Sequence, residues 1–209
     1  MIAQEKVLQI KLPLPGKTQS AHKKAINKDF NENQLLMNKV LNDIMLLDYY
    51  SGKQLEKEVE KILIKNMVKY KSQPNGSQKF PDFHVWLGNK KFNLECKSSK
   101  GKKPTWNQSY PRDNSLYIFS TSSKKYRGTY LFMGDNYWEK EVREHFIEVV
   151  LPMVKAQQLA INNAAKVKFG KDLPFTYYNR EMWQDRRSPI NDSKKRIQEV
   201  YDYFYKELK

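Results

Sequence analysis

The chain has 209 residues, with 38 Lys and Arg against 23 Asp and Glu, for a formal charge of +15. One cysteine excludes an intramolecular disulfide framework and a cysteine-rich zinc site, and no apolar run approaches the roughly 20 residues that span a bilayer. The size suits one domain, the absence of a signal-like or long apolar segment suggests a reducing cytoplasm, and the positive field attracts polyanions, with no membrane partner.

In chain order, residues 1–31 read as an N-terminal arm or edge strand, because Pro13, Pro15 and Gly16 argue against a long element. Gln34 to Asp48 carries Leu36, Val40, Ile44 and Leu47 at helical spacing. Gln54 to Lys69 predicts a second helix whose apolar stripe is Leu55, Val59, Leu63 and Met67; Glu56 flanks that stripe, while Glu58 projects to the far side.

A hairpin follows. Phe83, Val85 and Leu87 alternate with Asp82, His84 and Trp86, Gly88-Asn89 tolerates the positive φ of a tight turn, and Phe92, Leu94 and Cys96 alternate with Asn93, Glu95 and Lys97. Asp82 then starts one strand where Glu95 ends its neighbour, and the polar face gathers two carboxylates and an amine. Such a pair is within reach of one Mg²⁺, a hard ion that takes oxygen ligands and keeps several waters, with the Cys96 carbonyl as a further ligand. Lys97 beside them can orient an attacking water. His84 reads as a structural or DNA-facing histidine, since no second histidine sits at ligand spacing, and Cys96 as a core thiol.

Ser98 to Pro111 is a polar, basic loop, after which Ser115–Ser120 and Thr129–Met133 read as buried strands. From Gly88 to Arg127 there are ten basic residues against two acids, so more than half of the net charge surrounds the hairpin. Glu139 to about Val167 predicts a helix with Val142, Phe146, Val149 and Met153 on one face and a kink at Pro152. Asp192 to Leu208 predicts a last helix, capped by Asn191 or Asp192, that packs Ile197, Val200, Tyr201, Phe204 and Leu208 on the core. Helices, a mixed sheet of at least four strands, then helices make an α/β fold on the α+β border, as one unit: the arm, helices and sheet over 34–135, and a helical part over 136–209.

Pro81-Asp82 followed by Glu95-Cys96-Lys97 resembles the PD-(D/E)xK signature of restriction endonucleases and related DNA-cleaving enzymes. Gly52 to Glu56, followed by Val59, Ile62 and Leu63, is similar to the helix that precedes the metal site in many of them. The resemblance implies a restriction-endonuclease-like layered core and a Mg²⁺-dependent deoxyribonuclease with one or two ions per site. Asp82, Glu95 and Cys96 would be metal ligands, Lys97 the water-orienting residue and Glu56 an additional acid, with Glu60 as the weaker alternative. The simplest member is a type II restriction enzyme acting on double-stranded DNA; a palindromic target would predict a homodimer, and a companion methyltransferase is possible. A junction resolvase, repair nickase or phage nuclease of the same core stays open, as does a non-catalytic nucleic-acid-binding protein.

Two segments are candidates for contacting DNA. The first is Lys100, Lys102, Lys103, Trp106, Asn107, Gln108 and Arg112, which leave the strand that ends in the motif. The second lies in Tyr177 to Arg187, with Arg180, Arg186 and Arg187.

Overall fold

The computed structural model describes residues 31–209, apart from 78, 108–109, 172–176, 178–181 and 185–187. Helix α1 (Glu32–Met45) opens on a capping box: the Asn31 side chain accepts from the Gln34 N–H at 2.9 Å, and the Gln34 side chain accepts from the Asn31 N–H at 3.0 Å. Met37, Val40, Leu41 and Ile44 follow at spacings of three and four, so one stripe is buried. Helix α2 (Gly52–Lys65) buries Leu55, Val59, Ile62 and Leu63 in the same way. It stops four residues before the predicted end, because Asn66 caps it and Met67 turns to φ +54°.

Five strands form the main sheet: β1 (Lys69–Ser72), β2 (Phe83–Leu87), β3 (Lys90–Ser99), then β5 (Ser115–Thr121) and β6 (Gly128–Met133) after a short β4 (Thr105–Asn107). Their order is β1-β2-β3-β5-β6; β3 and β5 run parallel, and every other neighbouring pair is antiparallel. The β2–β3 hairpin turns at Gly88, φ +58°, as expected, and pairs Phe83 with Leu94 and Leu87 with Lys90; β2 starts one residue after Asp82, and β3 runs past Glu95 to Ser99. β1 is an unpredicted edge strand, in part of what had read as the end of the second helix and the loop after it.

Each sheet face has its own core. On one, Phe83, Val85, Leu87, Phe92, Leu94, Leu116, Ile118, Leu131 and Met133 meet α1, α2 and α5 (Ser193–Glu207). Helix α5 buries Ile197, Val200, Tyr201 and Phe204 as predicted, although Asp192 stands at its N-cap with no side-chain bond to the helix. The opposite face carries Trp106, Tyr117, Phe119, Tyr130, Phe132, Tyr137 and Ile190. Parallel neighbours require a crossover, usually helical. Here the crossover from β3 to β5 holds β4, which pairs with β7 (Met182–Gln184) as a separate two-stranded ribbon. Ser98–Pro111 is therefore not all loop, and the two basic segments read as separate candidates meet through that ribbon.

The predicted helix after the sheet is interrupted. α3 (Lys140–His145) runs through a π-helical turn at Phe146–Val150 into α4 (Leu151–Phe169). Pro152 has no N–H for the Glu148 carbonyl, and its ring crowds that carbonyl, which lies in the π turn. Of the face expected here only Phe146 is buried, against Trp138 and Tyr110, while Val142, Val149 and Met153 are exposed. Among the described residues no helix is long and apolar enough to cross a membrane.

Gly134 ends β6 where the chain passes the Arg112 carbonyl. A Cβ there would stand 2.0 Å from that oxygen and 2.9 Å from the Tyr117 ring. Gly134→Ala is thus expected to lower unfolding free energy by about 3 kcal/mol, read from the urea midpoint, because backbone rather than a flexible side chain must yield. A midpoint equal to wild type would contradict the tight approach.

Candidate active site

The hairpin register dictates what meets. One step beyond the Phe83–Leu94 pair, Asp82 lies across from Glu95, and the parallel neighbour sets Glu95 beside Tyr117 and Lys97 beside Phe119. Glu95 and Lys97 therefore share the face of the aromatic core, whereas Cys96 packs against the core on the helical face. Four groups are joined in sequence. The Asp82 N–H donates to Glu95 Oε2 at 3.1 Å, the Cys96 N–H donates to Asp82 Oδ2 at 2.7 Å, and Lys97 Nζ donates to Glu95 Oε1 at 2.6 Å. Behind the ammonium stands the Trp106 ring, 5.8 Å from Nζ.

Helix α2 is tied to the same end of β3, since the Gly52 N–H donates to Ser98 Oγ at 2.8 Å. Glu56 follows one turn later and is half-buried. Its charge acts on both Asp82 and Cys96. Glu58 instead bonds Gln54 and Lys61, as its predicted far-side position required, and Glu60 engages Tyr70.

Glu95 is only 6 % exposed, and Asp82 is half-buried. Burial first, then the Glu95 and Glu56 charges, push the Asp82 carboxyl up to about 7, against the opposing Cys96 N–H and Lys97. Burial and the same three carboxylates raise the Cys96 thiol well above its ordinary range, so it stays protonated and is no nucleophile. The Asp82 shift has a consequence for stability. Its folded value lies above the ordinary 3.8, so the fold prefers the protonated form, and stability falls as pH rises from 3.8 to about 7 and levels off above. In EDTA, Asp82→Asn is expected to melt above wild type at alkaline pH, and the gap should close as pH drops below about 7. A gap independent of pH would show that Asp82 does not carry this strain.

The donor set fits a hard cation in one respect. Two carboxylates sit side by side with excess negative charge, and Mg²⁺ is commonly held by one or two protein carboxylates with waters completing its shell. Among the described residues no group of three or more His, Cys, Asp or Glu is arranged to hold a metal.

The DNA-contact candidates divide. Lys100, Lys102 and Arg112 are exposed and Lys103 half-exposed; Arg112 stacks over the Phe80 ring at 4.6 Å, two residues from Asp82. Trp106 is corrected: it is 0 % exposed, wedged among Tyr117, Phe132, Tyr137 and Trp138, and offers no surface to DNA. Its burial follows from the need to cover the sheet face under a helix-free crossover. Asn107 is described only as part of β4, and Gln108, Arg180, Arg186 and Arg187 lie outside the described residues. His84 meets Trp86 edge-on at 5.9 Å, on the solvent side of the hairpin. Sequence reasoning missed the Ser98 tether, which carries no periodic signal. No protein-family model matches the chain, and no curated protein is significantly similar to it.

Proposed function

We propose that the chain is a Mg²⁺-dependent DNA endonuclease of the PD-(D/E)xK kind, most simply a type II site-specific enzyme of the cytoplasm acting on double-stranded DNA as a homodimer. One observation carries this reading: Asp82, one residue before β2, and Glu95 and Lys97 of β3 are linked by hydrogen bonds, the first through the Asp82 N–H. Basic Lys100, Lys102 and Arg112 are exposed on the crossover that leaves that strand. Asp82 and Glu95 would hold the ion, with the Cys96 carbonyl as a further ligand. When bound, it supplies a Lewis acid that lowers the pKa of a bound water and offsets charge on the phosphoryl oxygens.

The protein's own groups do the rest. Glu95 accepts a hydrogen bond from the Lys97 ammonium, and the Trp106 ring behind that ammonium limits where it can swing. From there it donates a hydrogen bond to the attacking water and holds positive charge beside the phosphate. The water oxygen bonds to phosphorus and gives up one proton to solvent, one P–O ester bond breaks, and the departing oxygen takes a proton from solvent, so the sum is addition of one water across the ester. Glu56 adds negative charge that favours the cation. Glu56→Gln is expected to cut plasmid-cleavage rate about 10- to 100-fold, with the Mg²⁺ needed for half-maximal rate raised. An unchanged rate and Mg²⁺ requirement would make Glu56 an ordinary acid of the helix.

The reading as a whole is tested by incubating supercoiled plasmid with purified protein in Mg²⁺ and in EDTA. Linear product in Mg²⁺ alone supports it. Nicked circles alone favour a resolvase or repair nickase, and intact plasmid in both contradicts it.

A further inference from the structure

The antiparallel register sorts the exposed side of β1, β2 and β3 into rows, because residues directly opposite one another share a face and the next row lies two residues on. The outermost row is Lys69, Trp86 and Lys91, and the next is Lys71, His84 and Asn93. Asp82 and Glu95 make the third, so the candidate active site and this surface form one continuous strip. The three lysines are exposed, and His84, Trp86 and Asn93 are half-exposed. The aromatic core covers this side only over the later strands: none of its fully buried members comes from β1 or β2.

The strip is chemically uniform. Its first two rows contain three ammonium groups and no carboxylate. Lys69 sits 5.6 Å from the Trp86 ring centroid, which pins one cation to the surface. Lys71 stands across from His84 on β1, and Lys91 lies diagonally across from it on β3, so two ammoniums flank one spot from opposite sides. Lysines on an edge strand often serve only to deter strand pairing. That account covers Lys69 and Lys71, but not Lys91 on the interior strand β3, nor a Trp left half-exposed on β2.

We infer that this strip is a track for the sugar-phosphate backbone of duplex DNA on one side of the cleaved phosphate, with Lys69, Lys71 and Lys91 as its phosphate contacts and Trp86 as its floor. The inference rests on the nuclease reading of the adjoining site. Its dimensions suit the partner. Two-residue steps along a strand advance about 7 Å, so the outermost row lies about 13 Å from the carboxylates. Duplex DNA rises 3.4 Å per nucleotide of a strand, so that distance is roughly four nucleotides. The contacts are to backbone, and they position the duplex without reading its sequence.

The test uses the full chain and a fluorescent mixed-sequence duplex in EDTA, with anisotropy followed over a range of salt. Lys69→Ala, Lys71→Ala and Lys91→Ala are combined in one variant. A control combines Lys57→Ala, Lys194→Ala and Lys206→Ala, exposed lysines off the strip with the same total charge change. Three lost phosphate contacts should lower the slope of log K against log salt by about 2 to 3, at about 0.9 per contact. The control should stay near wild type. In Mg²⁺ the strip variant should show raised KM with kcat unchanged. If strip and control variants weaken equally, only the overall field matters and the track is wrong; if the strip variant binds as wild type, the track is wrong while the nuclease reading stands. A duplex RNA that displaces the DNA more effectively than unlabelled DNA would overturn the choice of partner. If the strip variant loses binding but wild type cleaves no DNA in Mg²⁺, the strip's phosphate contacts stand while the nuclease reading, and with it the cleaved phosphate beside the track, falls.

Discussion

Lys97→Ala is expected to reduce DNA cleavage by about 10²- to 10³-fold at saturating substrate while leaving DNA affinity within a few-fold of wild type. Affinity is spread over many cations on a chain of charge +15, whereas among the described residues the ammonium bonded to a carboxylate of the site is that of Lys97. Lys97→Arg should not restore the rate, since a planar fork cannot replace a compact point charge against the Trp106 ring. The fold should survive. Removal of Lys97 leaves the nearly buried Glu95 without its ammonium partner, which costs about 1–3 kcal/mol, while the Asp82 N–H still donates to it. Lys97 also opposes the upward shift of the Asp82 carboxyl, so the variant's stability should fall further than that of wild type as pH rises. Single-turnover cleavage and binding of the same duplex, measured side by side, check the claim. Cleavage within threefold of wild type would remove Lys97 from the chemistry.

Trp106→Ala is expected to produce the largest loss of stability of any single change on the aromatic face, about 3–5 kcal/mol by urea unfolding. The ring is fully buried and lies 5.2 Å from Tyr117, 6.0 Å from Tyr137 and 6.5 Å from Phe132 and Trp138, centroid to centroid. A domain of this size has only about 5–15 kcal/mol of stability in all, so the variant sits near the threshold of folding. The same ring backs the Lys97 ammonium, so the change should also slow cleavage at temperatures where the protein remains folded. Trp106→Phe keeps an aromatic wall and should recover most of the rate and part of the stability. A midpoint for Trp106→Ala within about 1 kcal/mol of wild type would mean that the crossover is not a structural part of the sheet's second face.

The sequence carried some of these features strongly and others hardly at all. The β2–β3 hairpin was legible because Phe83, Val85 and Leu87, then Phe92 and Leu94, alternate with polar residues on either side of a glycine turn, and register follows once one face must be buried. That register brought Asp82 and Glu95 together. The burial of α2 and α5 was legible from spacings of three and four. Periodicity marks a face, however, and says nothing about what covers it. Val142, Val149 and Met153 recur at helical spacing yet lie exposed beyond a π turn. Trp106 was misread for a related reason. A lone aromatic in a basic loop has no period, and its role depends on a ribbon completed by β7, far along the chain. β1 was missed because four residues, KYKS, with two exposed lysines resemble loop, although their alternation is that of an edge strand.

The most direct measurement is digestion of a large DNA of known sequence by wild type and by Asp82→Ala, each in Mg²⁺ and in EDTA, resolved on a gel. The proposed function requires discrete bands from wild type in Mg²⁺ alone, whose mapped ends give target and stagger together. Intact DNA in every lane, or equal cutting by Asp82→Ala, would contradict the assignment of this site as the centre of a metal-dependent endonuclease.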